Sequence, residues 1–340
     1  MADFVCFGDF MLRLNPPGYL KFIQANAFEA NYTGAEANVA VSLAYMGESA
    51  ALVTRVPDND LGECGTASLR KYGVDVSHIA TGGERLGIFF VEKGASQRPS
   101  KVTYDRMNSG FSTSRREDYD WNAIFDGARY FHFTGITPAL GPNLAEICME
   151  ACQEAKRRGI TVSCDLNYRK NLWTTAQAKA VMETLLPYVN ILIANEEDAE
   201  KVLGIRADDT DVTAGKLSRE GYIQVASRIH ERFGCEAVTI TLRKSISASE
   251  NDWSGLLYTK GEAFFSREYR IHLVDRVGGG DSFGAGLLYS MAHGFDAQKT
   301  IEFAAAASCL KQTIEYDVNL STTDDILRLA GGDLSGRVQR

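Results

Sequence analysis

The sequence predicts an α/β protein in which a parallel sheet is covered by helices on both faces. Short apolar runs that are typical of buried strands alternate along the chain with stretches of helical periodicity. This alternation indicates βαβ units, whose crossover helices pack against the two faces of a parallel sheet. Ligands bind such sheets at the carboxyl ends of the strands, so the polar residues that follow the strands are candidates for a functional site.

Six apolar runs predict the strands of this sheet: Phe4–Phe7, Ala50–Val56, Tyr130–Thr134, Thr161–Asp165, Asn190–Ala194 and Ala237–Leu242. Four stretches between them predict helices: Asn38–Met46, Pro142–Arg158, Thr175–Leu186 and Tyr222–Phe233. In the second helix, apolar side chains recur every three or four residues and form one stripe, and Gly159 then ends the helix. Cys148 and Cys152 lie in that stripe, so we interpret them as core residues rather than metal ligands.

Two segments, about residues 10–33 and about residues 85–107, interrupt the alternation with a pattern of β-strands and turns. This pattern predicts a small antiparallel sheet that projects from the main sheet as a lid. Two surface hairpins without such a role are the alternative. Because no linker or internal repeat is evident, we interpret residues 1–340 as one domain.

Composition and charge argue against two classes of partner. The chain has 340 residues and a formal net charge of -8, so it lacks the basic surface expected of a protein that binds nucleic acid or an anionic membrane. No signal peptide and no long apolar segment is evident, which predicts a cytoplasmic protein. The seven cysteines include no C-x-x-C pair and mostly lie in apolar runs, which predicts buried, reduced thiols.

The segment Asp275–Gly286, with the sequence DRVGGGDSFGAG, carries the strongest functional signal. Its glycines Gly278, Gly279 and Gly280 precede an amphipathic run, and glycines at the start of a helix expose N–H groups that suit a phosphate. A carboxylate at Asp281 would repel that phosphate unless it had a chemical task, such as removing a proton from a hydroxyl group. The alternative is a helix in which Asp281 is only the N-cap.

Polar residues also lie beside four other predicted elements: Asp165–Arg169, Asn195–Asp198, Thr241–Arg243 and Asn31–Asn38. Each group has a structural alternative, since Asp165 and Asn167 could form a turn and Asn195 could cap a helix. Together they supply what phosphoryl transfer requires beyond an anion cradle. Asn195 and Asp198 could hold Mg²⁺ and its waters, and Arg169 could bind negative charge.

From Gly8 to about Leu329, the chain resembles the ribokinase-like (PfkB-type) carbohydrate kinases, and among them the 2-keto-3-deoxygluconate kinases. The C-terminal signature of that family, close to D-T-x-G-A-G-D, is similar to Asp275–Asp281. Its N-terminal glycine motif is similar to Gly34–Asn38, and its N-x-x-E motif is similar to Asn195–Asp198. The resemblance implies a ribokinase-like three-layer sandwich with a parallel sheet and a small β lid. It also implies ATP and Mg²⁺ as cofactors and a homo-oligomer, dimer or larger, formed through the lid.

The resemblance further implies roles for individual residues. Asp281 is expected to be the general base, beside an anion hole formed by the N–H groups of Gly278, Gly279 and Gly280. Asn195 and Asp198 are expected to hold the metal through water. The expected ATP contacts are Asn195, Thr241, Arg243, Gly278, Gly280 and Ser308. The expected substrate contacts are Gly34, Asn38, Phe90, Tyr104, Arg106, Arg169, Asp281 and Asp317.

Three departures from the family pattern affect these expectations. Asp198 stands where the family usually has glutamate, which shortens the reach to a metal. Arg276 and Val277 replace common threonines, and some relatives bind a monovalent cation partly through such a threonine, so the presence of that cation is left open. Arg243 stands where the nucleotide turn has glycine, and segment 243–255 is longer and more polar than expected.

The predicted reaction is ATP-dependent phosphorylation of the terminal hydroxyl of a sugar acid, with 2-keto-3-deoxygluconate converted to its 6-phosphate. Arg106 and Arg169 are expected to face the acceptor, and a guanidinium group matches a carboxylate bidentately. Lys101 is interpreted as a solvated charge on the lid. A neutral-sugar kinase of the fructokinase or ribokinase type and a non-catalytic sugar-binding relative remain as alternatives. The first strand lacks the G-x-G-x-x-G of a nicotinamide dehydrogenase.

Overall fold

The computed structural model describes residues 2–207 and 218–336. Its strands are β1 Phe4–Phe7, β2 Met11–Asn15, β3 Glu29–Thr33, β4 Ala50–Val56, β5 Ile79–Thr81, β6 Gly87–Glu92, β7 Lys101–Asp105, β8 Tyr130–Thr134, β9 Thr161–Asp165, β10 Ile191–Asn195, β11 Ala237–Ser245, β12 Glu250–Thr259, β13 Glu262–Phe265 and β14 Tyr269–His272. Its helices are α1 Ala35–Tyr45, α2 Asp60–Lys71, α3 Trp121–Ile124, α4 Ile136–Ala139, α5 Pro142–Arg158, α6 Thr175–Leu185, α7 Glu196–Leu203, α8 Arg219–Phe233, α9 Gly279–Ala292, α10 Ala297–Lys311 and α11 Thr323–Ala330.

The main sheet has the strand order β13-β12-β11-β10-β9-β8-β1-β4-β5, and β14 also pairs with β12. Every pairing from β11 to β5 is parallel, whereas β12 pairs antiparallel with β11, β13 and β14. The six predicted strands are therefore confirmed; β10 is shifted by one residue and β11 is longer than predicted. The polar residues that follow the carboxyl ends of these strands therefore lie along one edge of the sheet.

Two apolar cores lie on opposite faces of the main sheet. In β1, Val5 and Phe7 belong to one core, and Phe4 and Cys6 belong to the other, as the alternation of a strand requires. Helices α5, α6 and α8 cover the first face, and α1, α9 and α10 cover the second. The predicted sandwich of helices around a parallel sheet is confirmed.

Helix α5 shows how closely the predicted pattern determines one element. Pro142 occupies its first turn, where a missing N–H costs no hydrogen bond, and Gly159 ends it in the left-handed region at φ +71°. The predicted stripe, which includes Cys148 and Cys152, is fully buried. All seven cysteines are free thiols, and Cys64 is the exposed one. Within the described ranges, no helix combines the length and apolar character needed to cross a bilayer.

Strand β11 is longer than predicted because it pairs with β12. The register runs from Ala237 opposite Thr259 to Ser245 opposite Asn251, so segment 243–255 is a β-hairpin rather than a long polar loop. The polar residues of this segment are not typical of a strand, so the sequence pattern ended β11 too early. They adopt a strand because cross-strand hydrogen bonds outweigh local propensity. The hairpin extends the carboxyl edge of the sheet beyond Thr241.

The lid is a four-stranded sheet in the order β3-β2-β6-β7. The β2/β3 and β6/β7 pairings are antiparallel, as predicted, but the central β2/β6 pairing is parallel, from Met11 opposite Gly87 to Leu14 opposite Phe90. Each central strand is the first strand of its own hairpin, and the two hairpins run in the same direction. The predicted lid is confirmed, and it is a mixed sheet.

Candidate active site

A cavity of about 610 Å³ lies between the lid and the carboxyl ends of β9, β10 and β11. Of the residues that the sequence singled out, its wall contains Gly34, Asn38, Tyr104, Arg106, Arg169, Asn195, Asp198, Thr241, Arg243, Gly278, Gly279, Gly280, Asp281 and Asp317. These residues come from both sheets, from the starts of α1, α7 and α9, and from the loops that contain Arg106, Arg169 and Asp317. A polar cavity at strand ends under a lid is a typical place for a small-molecule site.

Asp281 lies in the first turn of α9 and faces this cavity. The amide nitrogen of Asn38 donates a 2.7 Å hydrogen bond to Oδ2 of Asp281. The hydroxyl of Thr33 donates to Oδ1 of Asn38 and so orients the amide. Burial raises the pKa of Asp281 to about 6, an effect moderated by the Asn38 bond; the charge of Asp317 raises this pKa further and that of Arg169 lowers it. The carboxylate is thus ionised at neutral pH yet basic enough to accept a proton.

The glycines predicted to form an anion cradle lie at the start of α9. Gly278 has φ +81°, and a Cβ on it would lie 1.8 Å from the carbonyl oxygen of Asp317, so only glycine fits. The N–H of Gly279 donates to the carbonyl of Arg276 at 3.3 Å. The next two N–H groups, those of Gly280 and Asp281, lie in the first helical turn and have no intrahelical acceptor, whereas the N–H of Ser282 donates to the carbonyl of Gly278 at 2.9 Å. The N–H groups of Gly280 and Asp281 and the positive end of the helix dipole suit a phosphoryl group.

Arg13, which the sequence analysis missed, lies behind this loop. Its guanidinium group is fully buried and pairs with Asp275, at 2.6 Å, and with Asp317. Asp275 in turn accepts the N–H of Val277 at 3.1 Å. Because breaking a buried ion pair leaves an uncompensated charge, Arg13 holds the start of the glycine loop, at Asp275, against the segment that follows α10, at Asp317. A lone arginine in the apolar strand β2 was the available sequence signal.

Asp165, at the end of β9, and Asp198, in the first turn of α7, form a pair of carboxylates. Burial raises the pKa of Asp198 to about 7, and burial together with the charges of Asp198 and Asp281 raises the pKa of Asp165. Oδ1 of Asn195 accepts the N–H of Asp198 at 2.8 Å, so Asn195 is also a helix cap. Among the described residues, no group of three or more metal-binding side chains occurs. The pair fits a cation that keeps waters and substrate phosphates as its other ligands, as Mg²⁺ does.

The lid side of the cavity carries the predicted cationic residues. Arg106 is almost fully buried, stacks over the ring of Tyr104 at 4.4 Å and approaches Asp9 at 3.5 Å. Both carboxylate oxygens of Asp9 are buried without a hydrogen-bond partner among the described residues. Asp9 is not among the residues predicted from the sequence, although its position after β1 was a signal. Arg169 also lines the cavity and donates to the carbonyl of Tyr168 at 3.0 Å.

Two lid residues lie away from the cavity. Phe90 was expected to contact the substrate, but strand alternation turns it to the other face of β6, where it meets the rings of Phe22 and Phe28. Phe89 takes the cavity position instead. Lys101 is exposed and does not line the cavity, in keeping with its interpretation as a solvated charge.

The opposite side of the cavity contains two arginines, Arg243 on β11 and Arg276 in the glycine loop. Burial and the charge of Arg243 lower the pKa of Arg276, so the two cations lie close enough to feel each other. An anion between them would relieve this repulsion. Ser308 was expected to contact ATP, but it is fully buried off the cavity and donates to the carbonyl of Gly279 at 2.7 Å. It therefore supports the glycine loop from behind.

The fold and the cavity have the arrangement that phosphoryl transfer requires, with the carboxylate of Asp281 beside a glycine-rich helix start. The model of the pfkB family of carbohydrate kinases matches residues 1–320, and the chain belongs to that family. The predicted family and fold class are thereby confirmed.

The chain is similar to a curated relative and to two solved structures. It is 32% identical over 333 residues to a 2-dehydro-3-deoxygalactonokinase of Haloferax volcanii, with 98% of each chain covered. A 2-dehydro-3-deoxygluconokinase structure from Thermotoga maritima is 51% identical, with a TM-score of 0.93 over 96% of this chain and 98% of that one. A structure from E. coli assigned as a ribokinase II, solved with ATP and Mg²⁺, is 18% identical, with a TM-score of 0.79 over 97% and 99% of the two chains. This last likeness concerns the fold alone.

Proposed function

We propose that this protein is an ATP-dependent kinase that phosphorylates the terminal hydroxyl of 2-keto-3-deoxygluconate to give the 6-phosphate. The observation that carries the proposal is the cavity itself, whose wall combines Arg106 and Arg169 with Asp281 at the glycine loop. Guanidinium groups match a carboxylate, and Asp281 is placed to activate an alcohol. The similar proteins from Haloferax and Thermotoga, both named as kinases of keto-deoxy sugar acids, support this substrate class.

The substrate carboxylate binds at the arginines, so the far end of the sugar acid points toward Asp281. Anchoring one end and presenting the other is orientation catalysis. Hydroxyl groups of the sugar acid donate to the buried carboxylate oxygens of Asp9, which face Arg106 but have no hydrogen-bond partner among the described residues. They also donate to Oδ2 of Asp317, which likewise lacks a hydrogen bond in the part of the chain that the structure describes. Phe89 closes the apolar side of the site. Gly34 and Asn38 complete the wall beside the reacting hydroxyl.

Phosphoryl transfer then proceeds in line. Asp281 takes the proton of the terminal hydroxyl, the alkoxide oxygen forms a bond to the γ-phosphorus, and the bond to the β,γ-bridging oxygen breaks to release ADP. The N–H groups at the start of α9 bind the negative charge that the migrating group carries. Mg²⁺, when bound near Asp165 and Asp198, neutralises phosphate charge. The nucleotide binds on the side of the cavity that contains Thr241, Arg243 and Arg276.

ATP and Mg²⁺ are supported by the donor set of the cavity and by the E. coli protein that was solved with both. Asp165 and Asp198 supply the carboxylate oxygens that Mg²⁺ prefers, and two arginines supply charge for the phosphates. We assign these groups to a single catalytic domain that includes the lid.

The experiment is a coupled assay of ADP release over a panel of acceptors: 2-keto-3-deoxygluconate, 2-keto-3-deoxygalactonate, fructose and ribose. We expect the highest kcat/KM with a keto-deoxy sugar acid and a phosphomonoester on the terminal carbon by ³¹P and ¹³C NMR. Higher kcat/KM with fructose or ribose would assign the protein to the neutral-sugar kinases. No ADP release with any acceptor would favour a non-catalytic sugar-binding protein.

We also propose that the lid joins copies of the chain into a homo-oligomer. The lid has several exposed apolar side chains, and Ile23, at 93% exposure, is the most exposed of them. The rings of Phe22, Phe28 and Phe90 lie together on the lid face turned from the cavity. Exposed apolar side chains that are grouped in this way are typical of a protein–protein interface.

A further inference from the structure

Lys311, the last residue of α10, is completely buried beneath the glycine loop. Its ammonium nitrogen donates to the backbone carbonyl of Asp275 at 3.0 Å and to that of Ile314 at 3.5 Å. Asp275 begins the segment that leads to the anion hole, and Ile314 lies in the turn that leads to Asp317. The ammonium group therefore joins two backbone segments that meet at the active site.

The surroundings of Lys311 balance its charge. Arg13 pairs with both Asp275 and Asp317, so one buried guanidinium faces two buried carboxylates. The charges of Asp275 and Asp317 favour the charged form of Lys311, while burial, the largest effect, lowers its pKa to about 8. Lys311 is thus a cation at neutral pH and supplies the second positive charge of the group. A fully buried lysine is rare unless it is paired in this way.

The two joined segments set the shape of the anion hole. Gly278 packs so closely on the carbonyl of Asp317 that an added Cβ would lie 1.8 Å from it. A shift of the turn containing Ile314 would therefore move Gly278 and the N–H groups that follow it. Carbonyl oxygens are the ligands that K⁺ takes in proteins. A monovalent cation bound by the carbonyls of Asp275 and Ile314 would therefore hold the same two backbone segments together.

We propose that the Lys311 ammonium group replaces a monovalent cation under the anion hole, so that the enzyme needs no K⁺ or Na⁺. The proposal rests on the proposed kinase function, because it assigns Lys311 as a positioning residue for the phosphoryl site. It also accounts for Arg276 and Val277, which stand where some relatives use a threonine as a cation ligand. A purely structural alternative is that Lys311 only satisfies the buried carbonyls of Asp275 and Ile314.

The first test uses the wild-type enzyme, with tetramethylammonium replacing K⁺ and Na⁺ at constant ionic strength. We expect unchanged turnover and an unchanged Tm across these salts. Activation or stabilisation by K⁺ in the wild type would overturn the proposal. The Tm measurement needs no turnover, so a failure of the kinase function and a failure of this inference are distinguishable.

The second test uses Lys311→Ala, which leaves room for an ion, with Lys299→Ala as the control, since Lys299 is exposed on the same helix. In tetramethylammonium we expect Lys311→Ala to lose about 10²-fold in kcat, because misplacing catalytic donors by about 1 Å has that effect. K⁺ and NH₄⁺ should restore kcat and Tm together, whereas Li⁺ should restore neither. A Tm that falls in Lys311→Ala and does not recover in K⁺ or NH₄⁺ would favour the purely structural alternative and overturn the proposal. The wild-type salt series decides the matter if the variant does not fold.

Discussion

The side-chain amide of Asn38 donates a 2.7 Å hydrogen bond to Asp281, which lies 243 residues further along the chain. The bond joins the first turn of α1 to the first turn of α9. Because Thr33 donates to the amide oxygen of Asn38, the amide can present only its N–H to the carboxylate. A donated bond favours the ionised form of Asp281, while burial opposes it. The balance gives a base that suits proton transfer near neutral pH.

The first prediction concerns the base itself. Asp281→Asn keeps the size of the side chain but removes the proton acceptor, so kcat should fall by about 10²–10⁴-fold, as is usual for a general base. Folding and ATP affinity, measured by thermal melting and calorimetry, should persist. Turnover near the wild-type value would remove Asp281 from the mechanism.

The second prediction concerns the pH dependence of kcat/KM. The pKa of Asp281 is raised to about 6, and a base acts only when deprotonated, so activity should be full above that pH and be lost as the pH falls through it. Asn38→Ala removes the bond that favours the carboxylate, and its acid limb should move to higher pH. An acid limb that stays in place in Asn38→Ala would mean that another group titrates.

The third prediction compares two glycines of the anion hole. Gly278→Ala should lower the free energy of unfolding by at least about 1–2 kcal/mol, the cost of a left-handed backbone, and more through the contact with Asp317. Gly280→Ala is the matched control, because a Cβ there would meet nothing within 4 Å. We expect Gly280→Ala to keep its stability in urea melts but to lose kcat, since its methyl group would enter the phosphoryl site. Equal stability of both variants would contradict the left-handed conformation of Gly278 and its close contact with Asp317.

The fourth prediction concerns recognition of the carboxylate. Arg106→Ala and Arg169→Ala should each raise KM for the sugar acid by the equivalent of about 1.5–3 kcal/mol, the usual range for a charged hydrogen bond. Lys101→Ala is the control, since Lys101 lies on the lid but is exposed and off the cavity. Its KM should not change. If the arginine variants lost as much with fructose as with a sugar acid, the arginines would not be reading the carboxylate.

The fifth prediction concerns the lid surface. Ile23→Asp places a charge at the most exposed apolar position of the lid and should dissociate the oligomer, as measured by light scattering coupled to gel filtration. Leu61→Asp, on the exposed surface of α2, should leave the mass unchanged. A wild-type protein that is monomeric at micromolar concentration would refute the lid interface directly.

Much of the fold was predictable because its elements are short and strongly patterned. Strands β1, β4, β8 and β9 have the ends that the apolar runs predict, and α5 has both of its predicted ends. The β11/β12 hairpin was not predictable from the same patterns, because residues 243–245 are polar and adopt a strand only through pairing with β12. The parallel β2/β6 pairing was missed for the same reason, since register between distant strands leaves no local signal.

The sequence by itself determined which kinds of groups the site contains, because glycines, carboxylates and arginines at strand ends have few other uses together. Only the tertiary structure decided which of them meet. It turned Phe90 away and Phe89 inward, placed Ser308 behind the loop, and brought Asp9 and Lys311 to positions that no motif marked. The physical reason is that side-chain direction and burial depend on packing between segments far apart in the chain, whereas a motif records only neighbours along it.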